Sequence, residues 1–320
     1  RRPRPNSAAI VSGSQARVEQ VNANALAHYT RVAQESAARV IAAYSTSFGV
    51  ATRLLAPRCR TSISSIYALV RVADEVVDGV GAAAGLTPQE QLAALRDLER
   101  EVTEATISGF STNLVVHAFA VAARESGIDA ELTRPFFASM EMDLAPRDLD
   151  AAEQEAYVYG SAEVVGLMCL RVFLTGHSYG DDELAILTAG SRALGAAFKN
   201  VNFLRDLADD DARGRGYLPV SPESGGAVGQ ASDSPLDEAG KRAWVAKINA
   251  DVRIARRGIA LLPRDCRVGV ALACALFAEL NRRIAATPAS ELARRRISVP
   301  TPVKARIAAS VILKEAPWRA

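Results

Sequence analysis

Lys199-Asn-Val-Asn202-Phe-Leu-Arg205-Asp206-Leu-Ala-Asp209-Asp210-Asp211-Ala-Arg213-Gly-Arg215-Gly-Tyr217-Leu-Pro219 is the stretch that decides how this chain is read. Lys199, Asn202, Asp206, Asp209 or Asp210, and Arg213 recur at three- and four-residue steps, so on a helix they share one face. Asp206, Asp209, Asp210 and Asp211 crowd like charges, which raises the cost of ionising them all. Bound divalent cations reverse that cost.

A second stretch upstream repeats the pattern: Tyr67-Ala-Leu-Val-Arg71-Val-Ala-Asp74-Glu75-Val-Val-Asp78. Tyr67, Arg71, Asp74 and Asp78 form one helical stripe, and Ile63, Ile66, Val70, Ala73 and Val77 form an apolar one beside it. Alone, this is also what any surface helix shows. The 36 acidic residues in 320 would give roughly four acid pairs at this spacing by chance. Two pairs, each with arginine and an amide or phenol on the same face, carry more weight. Facing helices of this kind can hold Mg²⁺ between a few carboxylates, waters and phosphate oxygens. Their arginines would take the remaining phosphate charge in bidentate pairs.

The rest of the chain supports an all-α reading. Ala is abundant, only 6% of residues are aromatic, and strand-like alternation is hard to find. The net charge of +2 gives no basis for a nucleic-acid partner. Cys59, Cys169, Cys266 and Cys274 form no C-x-x-C pair, and His28, His117 and His177 are isolated. Neither zinc nor a disulfide framework is signalled, and a reduced cytoplasmic setting is expected.

Residues 1–20, rich in Arg, Pro, Ser and Gln, are expected to be a disordered tail with no signal-peptide h-region. Residues 21–320 read as one helical domain. Breaks are expected at Pro57, Gly79–Gly85, Gly109, Gly127, Pro135, Pro146, Gly176–Gly180 and Thr287-Pro288. Thr87-Pro88-Gln89-Glu90 has the order of a helix start, and 221–235 reads as a mobile loop. The longest uncharged apolar run, Val268 to Ala278, is short of the roughly 20 residues a spanning helix needs.

With these motifs in view, the chain resembles the squalene/phytoene synthase family over nearly its whole length from Tyr44. Ser45-Thr46-Ser47-Phe48 resembles the family's early Ser-x-Ser-Phe segment, and Arg71-x-x-Asp74-x-x-x-Asp78 its first aspartate motif. Tyr157-x-Tyr159 with Val165-Gly166 resembles its central helix. Asn202-x-x-Arg205-Asp206-x-x-x-Asp210, followed by Arg213-x-Arg215-x-Tyr217-Leu-Pro219, resembles its second, and this long block is the most specific match. Phe277 falls where the family often has Tyr, and Arg296 and Lys304 fit its basic C-terminal stretch. The chain departs from the pattern at Lys199, where Gln is usual, at Glu75 in place of a second Asp, and at Ser161 and Glu163.

The resemblance implies a single-domain isoprenoid-synthase bundle around an apolar cavity. It implies head-to-head (1'-1) condensation of two geranylgeranyl diphosphates to 15-cis-phytoene, in carotenoid biosynthesis, through a cyclopropylcarbinyl diphosphate. Asp74, Asp78, Asp206 and Asp210 would be the catalytic metal ligands for Mg²⁺, with Mn²⁺ as a substitute and no nicotinamide. Ser45, Ser47, Phe48, Tyr67, Arg71, Tyr157, Lys199, Asn202, Arg205, Arg213, Arg215 and Tyr217 would bind the prenyl diphosphate substrates. Phe48 and Phe198 could offer aromatic faces to a carbocation. A hydrocarbon product also makes peripheral contact with a membrane, and with downstream carotenoid enzymes, an expectation of the same reading. The competing readings are a squalene or dehydrosqualene synthase using farnesyl diphosphate, and a non-catalytic helical scaffold. A scaffold should have lost carboxylates, and all four aspartates remain. A class I terpene cyclase is disfavoured by the Arg-x-Arg-x-Tyr-Leu-Pro tail.

Overall fold

The computed structural model describes residues 7–145, 149–207 and 236–315; among them it contains fourteen α-helices, one π-helical turn and no strand. The helices that build the site are α2 (Thr46–Arg53), α3 (Pro57–Val77), α9 (Val164–Leu174), α10 (Asp181–Arg205) and α12 (Arg264–Ala285). Helices α1 (Ser7–Tyr44), α5 (Pro88–Ser108), α6 (Leu114–Ser126), α7 (Ala130–Asp143), α8 (Ala151–Val158) and α11 (Glu238–Leu261) pack around them. Short α4 (Val80–Ala83) and α13 (Ala289–Leu292) join longer elements, and α14 (Thr301–Glu315) lies against α12.

Most boundaries follow from local chemistry. Pro57 opens α3, where a missing N–H costs nothing. Thr87 and Glu90 close a capping box at the start of α5, with Thr87 N–H donating to Glu90 Oε2 at 2.8 Å. Gly109 and Gly127 end α5 and α6 in the left-handed region, at φ 81° and 67°. Three expectations change. First, α1 begins at Ser7, inside the stretch expected to be a tail; Ala, Gln, Glu and Val there favour helix, residues 19–28 stay exposed, and the later turns bury Ala33, Ala37 and Ile41. Second, α7 runs through Pro135. An interior proline costs about 3 kcal/mol, but Phe136 and Phe137 are both 1% exposed, and each buried Phe returns about 1.5–3 kcal/mol. Third, α10 stops at Arg205, so the stripe from Lys199 is not one continuous helix through Arg213. Pro146 and the loop 221–235 lie outside the described residues.

At the centre, α9 and α10 run antiparallel and in close approach. A Cβ on Gly166 would come within 2.6 Å of the Ser191 carbonyl, and one on Gly195 within 2.4 Å of that of Ala162. Only hydrogen fits at these positions. Between α8 and α9 the helix widens into a π turn, Tyr159–Glu163. By length and composition the run Ala151–Leu174 could cross a membrane, with mean hydropathy 1.4, but 44% of that window is buried inside the bundle. Its apolar character belongs to the core.

Candidate active site

The first aspartate segment forms the last turns of α3. Ile66, Leu69, Ala73 and Val77 are buried in the core, which turns Tyr67 and Arg71 toward the cleft, while Asp74 lies at its edge and lines neither of the site's two cavities. Arg71 donates to Asp74 Oδ2 at 2.7 Å and also pairs with Glu75, while its guanidinium lies 4.5 Å from the centre of the Tyr44 ring. Asp78 is the C-cap, its N–H donating to the Asp74 carbonyl at 2.8 Å.

The second segment ends α10. Asp206 is again the C-cap, its N–H donating to the Asn202 carbonyl at 2.8 Å. Its carboxylate accepts from Arg205 Nε at 2.9 Å and pairs with Arg296 at 2.8 Å, a residue ninety positions downstream.

Between the two ends lies a vestibule of about 470 Å³. Ser45, Ser47, Tyr67, Arg71, Asn202, Arg205, Arg296 and Lys304 supply its polar wall, and Phe277, Leu276 and Leu280 its apolar one. Ser45 also caps α2, its Oγ accepting from Phe48 N–H at 3.1 Å. The vestibule adjoins a second cavity, of about 330 Å³, with Phe48, Tyr67 and Asn202 lining both. This inner cavity is walled by apolar side chains of α2, α3, α9, α10 and α12. Phe198 and Phe277 stack at the junction, 4.0 Å between ring centres, with Phe48 5.4 Å from each.

The electrostatics of the two ends differ. Burial and the neighbouring Asp78 push Asp74 up to about 6, against the opposing pull of Lys199 and Arg71. Burial also raises the Tyr67 phenol, partly offset by Arg71 and Ser45. Lys199 lines the inner cavity, not the vestibule. Its ammonium donates to the Tyr157 hydroxyl at 3.0 Å and lies 4.6 Å from that ring's centre. Tyr157 is 1% exposed, and its hydroxyl donates to Asp143 Oδ1 at 2.8 Å. Tyr157 therefore supports the site from behind: the structure places it outside both cavities.

The residues singled out in the sequence thus divide. Ser45, Ser47, Phe48, Tyr67, Arg71, Asn202 and Arg205 share the vestibule wall, while Asp210, Arg213, Arg215 and Tyr217 lie outside the described residues. Ser161 lines the inner cavity with its hydroxyl donated to the Tyr157 carbonyl at 2.7 Å, so it presents no free donor there. Glu163 pairs with Arg192 at 2.6 Å and does not line the cavity. Asp143 and Tyr44 were not singled out: Asp143 sits in an ordinary amphipathic run, and only its burial beside Tyr157 sets it apart.

The donors suit a hard cation. Asp74, Asp78 and Asp206 offer only oxygens, and Asn202 Oδ1, one turn before Asp206, is buried with no partner among the described residues. Within those residues no three His, Cys, Asp or Glu side chains come close enough to hold a metal ion. Arg71 Nε is likewise buried without a partner, an orphan donor that an anion would satisfy.

This geometry agrees with what the chain is similar to. Residues 41–302 match the family model for squalene/phytoene synthase. The chain belongs to the squalene/phytoene synthase family. It is 30% identical over 285 residues to the 15-cis-phytoene synthase of Synechocystis sp., covering 85% of this chain and 82% of that protein. The phytoene synthase of Mycobacterium tuberculosis is 30% identical over 280 residues, 83% of this chain and 86% of that one. Among solved structures, a dehydrosqualene synthase superposes with a TM-score of 0.71 at 21% identity, over 89% of this chain and 97% of that one. A squalene synthase from Alicyclobacillus acidocaldarius gives 0.67 at 21% identity, over 81% and 96%. These two likenesses establish the shared helical fold.

Proposed function

We propose that this chain is a 15-cis-phytoene synthase, a prenyltransferase that joins two geranylgeranyl diphosphates head to head and releases diphosphate. The observation that carries the reading is the adjacency of a cationic vestibule and an apolar cavity, which share Phe48, Tyr67 and Asn202 in their walls. A prenyl diphosphate has the same division, a charged head on a hydrocarbon tail. The relatives of similar length that share about 30% identity carry the name phytoene synthase.

In the free chain the charges of the vestibule neutralise each other: Arg71 holds Asp74, and Arg205 and Arg296 hold Asp206. Substrate binding exchanges these partners. The arginines turn to phosphate oxygens, which they grip in bidentate fashion, and the carboxylates are freed. Asp74, Asp78 and Asp206, with Asn202 Oδ1, would then hold Mg²⁺, which when bound supplies Lewis-acid charge to the departing diphosphate. Ser45, Ser47, Tyr67 and Lys304 orient the head group from the opposite wall. The apolar inner cavity keeps water from the allylic cation, and Phe48, Phe198 and Phe277 present π faces to it.

The test is incubation of the purified chain with Mg²⁺ and either geranylgeranyl or farnesyl diphosphate, without nicotinamide, followed by product analysis. A C40 triene from the longer substrate is expected. A C30 product alone would move the assignment to the dehydrosqualene type, and no turnover of either would leave a scaffold of the same fold.

A further inference from the structure

The inner cavity has a floor, and it is thin. From Asn202 at the mouth, α10 presents Lys199, Phe198, Leu194 and finally Ser191, a descent of about 17 Å at 1.5 Å per residue. Antiparallel α9 descends beside it and ends its cavity face at Phe173. Phe173, Leu194 and Ser191 also line a second, separate void of about 20 Å³ directly beneath. These three side chains are therefore a partition between the cavity and a pocket already empty of atoms.

The other walls cannot give way as readily. The far side of the void is closed by Gly190 and Gly258, where α10 and α11 meet so closely that a Cβ on Gly190 would lie 2.9 Å from the Gly258 Cα. Ser191 is fixed too, its hydroxyl donating to the Gly166 carbonyl at 2.6 Å. That bond also satisfies the floor's polar atom, leaving it effectively apolar to a ligand above. Phe173 is the largest and least constrained member of the partition. It is 7% exposed and packs as a side chain alone, with no polar anchor to hold it.

We propose that Phe173 is the residue that sets how long a prenyl chain the inner cavity accepts. The inference rests on the prenyl diphosphate reading above and goes beyond it by assigning chain-length selection to a named side chain remote from the diphosphates. Shortening Phe173 joins the void to the cavity and lengthens it at its closed end. Enlarging Ser191 raises the floor.

The experiment compares kcat/KM for farnesyl, geranylgeranyl and geranylfarnesyl diphosphates (C15, C20 and C25) in the full chain and its variants. Phe173→Ala is expected to raise the C25-to-C20 ratio at least tenfold, and Phe173→Leu to raise it by less. Phe173→Leu keeps an apolar group in the core and carries the test should Phe173→Ala fail to fold. Ser191→Leu is expected to move selectivity the opposite way, raising the C15-to-C20 ratio. Unchanged ratios in folded Phe173 and Ser191 variants, with only a lowered Tm, would overturn the floor and leave the function standing. Absence of turnover by the unaltered chain on all three substrates would overturn both.

Discussion

The ends of α3 and α10 are near copies in backbone and differ in the ion pairs that their described residues make. Asp78 and Asp206 each cap their helix, at φ −104°, ψ 14° and φ −103°, ψ 13°, and each closes the same bond to the carbonyl four residues back. Both set a carboxylate at the negative end of a helix dipole, an unfavourable place for an anion. At α10 two arginines, Arg205 and Arg296, relieve that cost. Among the described residues, one arginine at α3 is divided between Asp74 and Glu75, and the neighbouring Asp78 disfavours the Asp74 charge against the pull of Lys199 and Arg71. The difference implies a division of labour. Among the described residues the α3 carboxylates share one arginine while Asp206 has two, so on the reading proposed above an added cation gains most at the α3 end and a diphosphate finds arginines at the α10 end.

The strongest way to break that pairing is to neutralise each end in turn. Asp74→Asn and Asp206→Asn are each expected to lower kcat on geranylgeranyl diphosphate at saturating Mg²⁺ by on the order of 10²–10³-fold. A loss below tenfold at either end would mean that only one of the two acts in the reaction.

A smaller effect sharpens the contrast. Because Asp74 holds its proton up to about 6, its charged form is depleted as pH falls through that value. In kcat/KM, which reports the free enzyme, an acid limb is expected with a midpoint near pH 6, falling tenfold per pH unit below it. Lys199 favours the charged form, so Lys199→Gln should move this limb to higher pH. A limb that stays in place would assign it to a group other than Asp74.

How far the sequence revealed these two ends also differs. The α3 stripe was legible because the ion pairs of Arg71, with Asp74 and Glu75, span three and four residues. At α10 the same spacing suggested a helix running on to Arg213, whereas the helix closes at Asp206, where the stabilising partner Arg296 is far away in sequence. The supporting layer was hidden for the same reason. Asp143, Tyr157 and Lys199 come from three separate helices, and nothing local to any of them marks the link. The π turn was equally unreadable, since Tyr159–Glu163 has no unusual composition and owes its extra residue to packing against α7 and α10. The family motifs marked the vestibule wall well, because they are the residues that face the ligand. They said little of the inner cavity, whose walls are ordinary apolar helix faces.

The smallest expected effect is also the one with opposite signs at the two ends. Without metal or substrate, the raised pKa of Asp74 means that the folded chain resists ionising it while the unfolded chain does not. Stability from this source is therefore full below the ordinary carboxylate range, declines as pH rises from about 4 through about 6, and stays low above that. Asp74→Asn removes the charge and leaves Arg71 its partner Glu75. A third of the Asp74 side-chain surface is open to solvent, which screens part of the penalty. A gain on the order of 1–2 kcal/mol is expected at pH 7.5, and none near pH 4. Asp206→Asn instead takes a carboxylate away from two arginines and should cost up to about 1 kcal/mol at pH 7.5. Urea denaturation of the metal-free variants at both pH values measures the two signs. If both substitutions destabilise alike at pH 7.5, burial and Asp78 do not disfavour the Asp74 charge, and the division of labour fails at its energetic root.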